Sequence, residues 1–514
     1  MNPEITLKQT SIVIDNYEMG MCPKLESYFT LFDKNTFSYY TYGIEYNEEL
    51  KQLIIPRGLD VNLIEKLLES KSYISNNYDN YDHIEPFMLK LLPRDDNQVK
   101  TLKFLLGNEE FSETKFSSQL AINLNTGAGK TYCAIAYLGI ISHRGIVITS
   151  SASIITQWKK RCKQYTNISD KEILVLNGSN VCFKILNGSL DISKYKLILS
   201  THSTIRNLGM AYGWDKVTNL FIKMKIGTKI YDECHKDFQN LYKIDYYTNT
   251  YKTIYISATL NRSSKDEDFV YQLYFKNIPI INLFNPETDN RTKYISIKFD
   301  SEPSPKDRGD VYDYKYGINR IRYVKYLINN PNFYKASMFI INLIYNKLND
   351  NEKALIYIST NEAIEIFYNW FIDVYNYNQD DIGIFTSILS HDAKQKQLDK
   401  KIILTTTKSA GEAIDIENLK ITVVLAEPFK SRVIAKQSLG RTRDRDTLYI
   451  ELVDIAFKKI IEYYEFKKEI FEKHATECLN THLTKSNIDN IKEPRYLFKI
   501  IPKNKIIDSN KNTN

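Results

Sequence analysis

The segment Asn125–Thr131 contains the residue types that bind phosphate groups. It follows a short apolar run at 119–124 that predicts a strand, and it precedes a run at 132–141 that predicts a helix. Small residues at such a strand-to-helix turn let backbone N–H groups close around phosphate oxygens at a helix N-terminus. We expect Lys130 to contact the phosphates and the Thr131 hydroxyl to bind Mg²⁺. The loop residues predicted to bind are Thr126, Gly127, Ala128, Gly129, Lys130 and Thr131.

An acidic pair, Asp232 and Glu233, follows a second predicted strand at 229–231. Asp232 is expected to hold Mg²⁺, and Glu233 to accept a proton from the water that attacks a terminal phosphate. His235 is expected to sense the phosphate state. Acidic residues are common at strand ends, so the tetrapeptide from Asp232 to His235 is weak evidence for a catalytic site by itself. Its position between the phosphate-binding loop and Ser257–Thr259 makes it specific.

The phosphate-binding loop, the sequence Asp-Glu-Cys-His and the sequence Ser-Ala-Thr occur in an order that resembles the superfamily 2 helicases. The likeness extends over about residues 94–445. It implies two RecA-like domains, ATP and Mg²⁺ as cofactors, and single-stranded or branched nucleic acid as partner. Leu124 stands where the family usually has the first glycine of the loop, a position at which other residues also occur.

The resemblance assigns further roles within the first of the two domains. Arg94 and Gln98 would read the adenine. Ser151, Gln157 and Thr201 would contact the nucleic-acid backbone, and His235, Ser257 and Thr259 would couple hydrolysis to strand movement. The run Lys159–Arg161 is either an additional attraction for phosphates or an ordinary solvated helix face.

In the second domain, the sequence from Ser409 resembles the family's fifth motif, in which Gly411 and Asp415 would lie near the nucleotide. The sequence from Gln437 resembles the sixth. Gln437 would contact the γ-phosphate or orient water, and Arg441 would act as an arginine finger across an inter-domain cleft. Asp444 occupies the place of the usual second arginine, so its neighbours Arg443 and Arg445 both stay candidates for that role.

The elements needed to position these residues alternate between apolar strands and helices, which predicts α/β domains with parallel sheets. The predicted fold is two tandem RecA-like P-loop domains, a small N-terminal region and a flexible C-terminal tail. The boundaries are an accessory region at 1–88, an ATP-binding domain at 89–299, a polar linker at 300–313, a second helicase domain at 314–473 and an extension at 474–514.

Within the superfamily, Gln157-Trp158 and the short N-terminal region with Ile55–Gly58 make the chain similar to three groups. These are the T4-type phage recombination helicases, the poxvirus transcript-release helicases and the XPB-type repair helicase, so a viral or phage protein is expected. The resemblance implies a nucleic-acid-dependent ATPase that tracks DNA rather than RNA. An RNA helicase of the DExH or DEAD type, a translocase subunit of a restriction-type complex and a non-hydrolysing ATP-gated binding subunit stay open as alternatives.

Composition agrees with a globular protein that binds a polyanion. The 514 residues carry a formal net charge of +7, with 25% charged and 43% hydrophobic residues. No apolar run is long enough to span a bilayer, and the polar N-terminus lacks a signal-peptide core. We expect no membrane partner. We expect a cytoplasmic protein, located in the host cytoplasm or at the viral replication site if the protein is viral. The six cysteines form no CxxC pair and are interpreted as small buried hydrophobic residues.

Overall fold

The computed structural model describes residues 2–33, 36–75, 80–124, 127–257, 265–283, 292–313, 317–386, 388–389, 391–410, 416–439 and 447–484. The chain forms two compact units, Met1–Phe284 and Asn285–Asn514. In the described residues, no helix is long and apolar enough to cross a membrane.

The N-terminal region folds as a small sheet of five strands in the order β5-β6-β2-β1-β7. Neighbouring strands are antiparallel except β1 and β7, and β3 and β4 form a separate hairpin. The elements are β1 Glu4–Leu7, β2 Ser11–Asp15, α1 Pro23–Ser27, β3 Thr30–Asp33, β4 Ser38–Thr41, β5 Glu45–Asn47, β6 Gln52–Pro56, α2 Val61–Leu68 and β7 Ser72–Ile74.

A larger sheet of seven parallel strands follows in the same unit, in the order β10-β11-β9-β12-β13-β8-β14. Strands β9, β12 and β13 are buried along their whole length, as expected where helices cover both faces of a parallel sheet. The elements are α3 Asp96–Leu106, α4 Ser112–Lys115, β8 Gln119–Asn123, α5 Lys130–Ile141, β9 Gly145–Thr149, α6 Ala152–Tyr165, β10 Ile173–Val175, α7 Ser179–Leu186, β11 Leu197–Thr201, α8 His202–Tyr212, α9 Trp214–Met224, β12 Thr228–Asp232, α10 Phe238–Tyr247, β13 Lys252–Ser257, α11 Lys265–Phe275 and β14 Ile280–Ile281.

The N-terminal sheet packs against helix α10 of the larger sheet, and the two share one hydrophobic core. The Thr10 hydroxyl donates to the Asp245 carbonyl at 3.0 Å, and the Tyr246 hydroxyl donates to the Gly43 carbonyl at 2.8 Å. Lys243 forms an ion pair with Glu45 at 2.8 Å. The accessory region predicted at 1–88 therefore stands on the first α/β domain rather than apart from it.

A buried polar network centred on Asp245 connects the strands of the larger sheet. The Asp245 carboxylate accepts hydrogen bonds from the hydroxyls of Tyr231 on β12 (2.8 Å), Tyr255 on β13 (2.5 Å) and Tyr274 on α11. The Lys229 ammonium lies 2.5 Å from the same carboxylate, and both side chains are completely buried. Because the carboxylate accepts from three hydroxyls and faces a cation, its burial is compensated.

The second unit also contains a parallel sheet of seven strands, in the order β19-β20-β18-β21-β22-β15-β23. The elements are β15 Thr292–Phe299, α12 Pro305–Val311, β16 Tyr312–Asp313, β17 Gly317–Ile318, α13 Arg320–Ile328, α14 Pro331–Lys347, β18 Lys353–Ile358, α15 Asn361–Asn369, β19 Ile382–Phe385, α16 His391–Gln397, β20 Ile402–Thr405, α17 Thr407–Ala410, β21 Leu419–Ala426, α18 Arg432–Leu439, β22 Thr447–Asp454, α19 Lys458–His474 and β23 Glu477–His482.

The position of strand β15 contradicts the predicted domain boundary, which placed residues up to 299 in the first domain. It pairs residue by residue with β22, from Thr292 opposite Thr447 to Phe299 opposite Asp454, and so belongs to the second sheet. The segment predicted as a polar linker contains helix α12, which Ser304 caps through a reciprocal pair of hydrogen bonds with Asp307. The extension predicted from 474 begins with β23, which pairs with β15.

The cysteines are free thiols, of which Cys478 is exposed and the others are buried. Burial raises the pKa of the Cys133 and Cys162 thiols to about 12, so both stay protonated. The structure agrees with their interpretation as small hydrophobic residues, apart from the exposed position of Cys478.

Candidate functional site

Several of the predicted site residues that the structure describes in the first domain lie at one edge of its sheet, where the carboxyl ends of the parallel strands meet. This edge is where ligands bind in open α/β sheets. The phosphate-binding loop follows β8, Ser151 follows β9, Thr201 ends β11, Asp232 ends β12 and Ser257 ends β13.

The described part of the loop has the backbone of a phosphate cradle. Gly127 and Gly129 have φ values of +84° and +88°, a region that glycine enters without a steric penalty. Helix α5 begins immediately afterwards at Lys130, and the N-terminus of a helix favours anions such as phosphate. The Lys130 side chain is buried, and its ammonium donates to the Leu124 carbonyl at 2.7 Å. Thr126 lies outside the described residues.

The predicted adenine-reading residues contact the loop directly. The Gln98 side chain is buried, and its amide oxygen accepts a hydrogen bond from the Arg94 backbone N–H at 2.7 Å. A Cβ atom added to Gly129 would overlap the Gln98 amide nitrogen, so the absence of a side chain at Gly129 lets Gln98 approach. The Arg94 guanidinium donates to the Gly127 carbonyl at 3.3 Å. Gln98 and Arg94 thus support the loop from one side.

The acidic pair lies where β12 ends. Asp232 is buried, and its Oδ1 accepts the Glu233 backbone N–H at 3.0 Å. Burial and the neighbouring Glu233 carboxylate raise the pKa of Asp232, whereas the Trp158 indole and the Lys130 charge lower it. Glu233 has a φ of +54°, which is uncommon for a residue with a side chain and concentrates at functional sites.

The other oxygen of Asp232 accepts a hydrogen bond that sequence reasoning missed. The indole N–H of Trp158, on helix α6, donates to Asp232 Oδ2 at 2.6 Å. Trp158 is 1% exposed. In the sequence, Trp158 contributes only, together with Gln157, to the similarity to three helicase groups. A buried tryptophan needs an acceptor for its N–H, but 74 positions of sequence separate this one from its partner.

His235 and Ser257 meet across neighbouring strands. Nδ1 of His235 lies 2.9 Å from the Ser257 hydroxyl oxygen and 3.3 Å from Glu233 Oε2. The histidine therefore lies between the predicted general base and the end of β13. Thr259, the third residue expected to couple hydrolysis to movement, lies outside the described residues.

The residues of this edge fit a magnesium ion bound with a nucleotide. Mg²⁺ prefers oxygen ligands and is commonly held by one or two carboxylates together with substrate phosphates. Asp232 supplies a carboxylate whose burial is unfavourable for its charged form, and a cation would offset that effect. Thr131 supplies a hydroxyl in the first turn of α5. Among the described residues, no group of three or more His, Cys, Asp or Glu side chains could hold a metal ion by itself, so the phosphates of the nucleotide would supply the other ligands.

Of the predicted nucleic-acid positions, Ser151 and Thr201 lie at the same edge, just after β9 and at the end of β11, and Gln157 lies on helix α6. Ser151 is the N-cap residue of α6 and forms a hydroxyl pair with Ser153 at 2.7 Å, and Gln157 lies further along that helix. Thr201 caps α8 and accepts the Thr204 N–H at 3.2 Å. In the nearby basic run, Lys159 pairs with Asp170 at 3.2 Å, so part of its charge is compensated within the protein.

The predicted site residues of the second domain fall mainly outside the described part of the chain. Gln437 is on helix α18, but its side chain is not described. On that helix the Ser438 hydroxyl lies 3.0 Å from the Tyr449 hydroxyl of β22. Gly411, Asp415, Arg441, Arg443 and Arg445 lie outside the described residues, as does Asp444.

The chain is similar in sequence to known proteins over part of its length. Residues 90–262 match the family described as type III restriction enzyme, res subunit. The Rad25 protein of Haloarcula marismortui, described as a DNA 3′-5′ helicase, is 25% identical over 147 residues, which are 29% of this chain and 21% of Rad25. The chain thus matches about a fifth of the length of that curated relative.

Solved structures resemble the chain over a larger part of its length. Dbp5 of S. cerevisiae, bound to RNA and ADP BeF3, has a TM-score of 0.50 at 14% identity, covering 76% of this chain and 90% of Dbp5. UvsW of T4 has a TM-score of 0.35 at 14% identity, covering 94% of this chain and 100% of UvsW. The chain is thus similar to superfamily 2 helicases in its sequence over residues 90–262 and in its fold of two tandem RecA-like domains.

Proposed function

We propose that the protein is an ATP-dependent nucleic-acid helicase or translocase that acts on single-stranded or branched DNA. The observation that carries the proposal is the common edge of one parallel sheet that bears the phosphate cradle, the buried Asp232 and the adjacent Glu233. The family match over residues 90–262 supports the same activity.

The first domain supplies the groups that bind and cleave the terminal phosphate. The N–H groups of the loop and the Lys130 ammonium bind the phosphates, and Thr131 and Asp232 hold Mg²⁺, which neutralises phosphate charge. Glu233 accepts a proton from the attacking water. His235 contacts both Glu233 and Ser257, so a change at Glu233 during hydrolysis is passed through His235 to the end of β13.

The family resemblance also assigns roles to residues of the second domain. The family resemblance of the sequence near Gln437 and Arg441 supports a role for both at the γ-phosphate, with Gly411 and Asp415 near the nucleotide. Arg441 would stabilise the charge that develops in the transition state. Arg443 and Arg445 are alternatives for the second arginine that the family carries.

The nucleic-acid strand would be gripped mainly through its backbone. Ser151 and Thr201 offer hydroxyl groups at the same sheet edge, and Gln157 offers an amide group on helix α6. Such groups commonly contact phosphates without reading sequence. The net charge of +7 favours a polyanion. The description of Rad25 as a DNA helicase supports DNA over RNA.

ATP hydrolysis with and without single-stranded DNA or RNA of equal length tests the proposal. We expect DNA to stimulate phosphate release more than RNA, and the Lys130→Ala variant to release none above background. Stronger stimulation by RNA would favour the RNA-helicase alternative. Hydrolysis that neither nucleic acid stimulates would contradict the proposed function.

A further inference from the structure

The hydrogen bond between Trp158 and Asp232 connects the proposed nucleic-acid contacts to the proposed magnesium ligand, which lie far apart in the sequence. Trp158 is on α6, the helix that Ser151 caps and that carries Gln157, both proposed nucleic-acid contacts. Asp232 ends β12 and is the proposed magnesium ligand. The indole is therefore a direct contact between the nucleic-acid side and the metal side of the sheet edge.

Both oxygens of the Asp232 carboxylate accept a hydrogen bond from within the protein. One oxygen accepts the Glu233 backbone N–H at 3.0 Å and the other accepts the Trp158 indole at 2.6 Å. Two donors on opposite oxygens hold the plane of the carboxylate, while each oxygen keeps a lone pair for another partner. A buried indole has no acceptor atom, so it supports the anion without competing for the metal.

We propose that Trp158 is a positioning residue for Mg²⁺: it orients Asp232 and ties that orientation to helix α6. This inference rests on the proposed function, because it takes Asp232 as the metal ligand and α6 as a nucleic-acid contact. A residue that orients a metal ligand commonly changes metal affinity by about ten-fold or more when it is removed.

Trp158→Phe tests the inference, because phenylalanine keeps an aromatic ring but cannot donate a hydrogen bond. The measurement is calorimetric binding of ADP in excess Mg²⁺ and in EDTA, and the ratio of the two affinities reports the metal alone. We expect that ratio to fall about ten-fold in the variant while metal-free ADP binding persists. Trp214→Phe is the matched control, since Trp214 stacks on Tyr247 at a centroid distance of 4.9 Å, and it should keep the wild-type ratio.

An unchanged or increased ratio in Trp158→Phe would overturn the inference. An equal loss of affinity with and without Mg²⁺ would also overturn it, because it would show that the ring serves only packing. These measurements need neither hydrolysis nor nucleic acid. A wild-type protein that fails to hydrolyse ATP with DNA or RNA would therefore count against the proposed function and not against this contact.

A spectroscopic measurement tests the same contact without altering it. The chain has three tryptophans, so Trp214→Phe combined with Trp370→Phe leaves Trp158 as the sole tryptophan. We expect its fluorescence to change when Mg²⁺ is added to the ADP complex, because the acceptor of the indole N–H then binds a cation. Fluorescence that does not respond to Mg²⁺ at saturating ADP would contradict the inference.

Discussion

The Asp245 network makes a stability prediction whose size follows from its contacts. Asp245→Asn keeps the size of the side chain but removes the negative charge that lies 2.5 Å from the buried Lys229 ammonium. Breaking a buried ion pair from one side costs about 3–5 kcal/mol, because a charge is left without its counter-charge. A single domain is usually stable by only about 5–15 kcal/mol, so the variant should lose a large share of the stability of its unit.

The reverse substitution should cost less. In Lys229→Met the Asp245 carboxylate keeps the hydroxyl donors of Tyr231, Tyr255 and Tyr274. Burial raises the pKa of Tyr255 and Tyr274, and the Asp245 charge raises it further, so both hydroxyls stay protonated and continue to donate. We therefore expect Asp245→Asn to be the more destabilising of the two.

Urea unfolding followed by circular dichroism measures the difference. With about 1–3 kcal/mol per molar urea for a small domain, a loss of 3 kcal/mol moves the midpoint by about 1–3 M. A shift in Asp245→Asn that corresponds to less than about 1 kcal/mol would refute the claim that Asp245 and Lys229 form a buried ion pair in which each charge needs the other. A larger shift in Lys229→Met than in Asp245→Asn would refute the argument from the three hydroxyls.

Three further predictions concern the site. Gly129→Ala and Gly178→Ala both place a side chain at positive φ, at a cost of about 1–3 kcal/mol, but only the first meets a neighbour, Gln98. Calorimetry should therefore show lost ADP affinity in Gly129→Ala and normal affinity in Gly178→Ala, and equal affinities would contradict the packing of Gln98 on the loop. Arg441→Ala should keep most ADP affinity and lose about 10³-fold in nucleic-acid-stimulated turnover, and wild-type turnover would remove Arg441 from the site. Binding to single-stranded DNA, followed by fluorescence anisotropy, should weaken steeply with salt, and a salt-insensitive complex would contradict a grip on the phosphate backbone.

Local patterns predicted elements of the first sheet well where apolar residues are continuous. The strand predicted at 119–124 is observed at Gln119–Asn123, and the strand predicted at 229–231 lies within Thr228–Asp232. The helix predicted at 132–141 is observed from Lys130, two residues earlier. Buried parallel strands are short apolar runs between polar turns, so their limits are readable from composition. The loop and the acidic pair were predicted as site residues for the same reason, since each directly follows such a run.

Features that depend on distant pairing were not predictable. The strand at 292–299 looks like a continuation of the first domain, but it pairs with a strand about 150 residues later, which the alternation of residue types does not reveal. The contact of Trp158 with Asp232 has the same origin, because two elements that are far apart in sequence become neighbours only in the folded sheet. The packing of the N-terminal sheet on α10, through hydrogen bonds at Thr10 and Gly43, likewise cannot be predicted from the periodicity of apolar residues in the sequence.

Phosphate release by Glu233→Gln, compared with the wild type at saturating ATP and single-stranded DNA, tests the central claim most directly. The glutamine amide has nearly the shape of the carboxylate but cannot accept the proton of the attacking water. We expect ADP affinity within a small factor of the wild type and a loss of about 10²–10⁴-fold in turnover, the usual contribution of a general base. Turnover close to that of the wild type would contradict hydrolysis at this sheet edge.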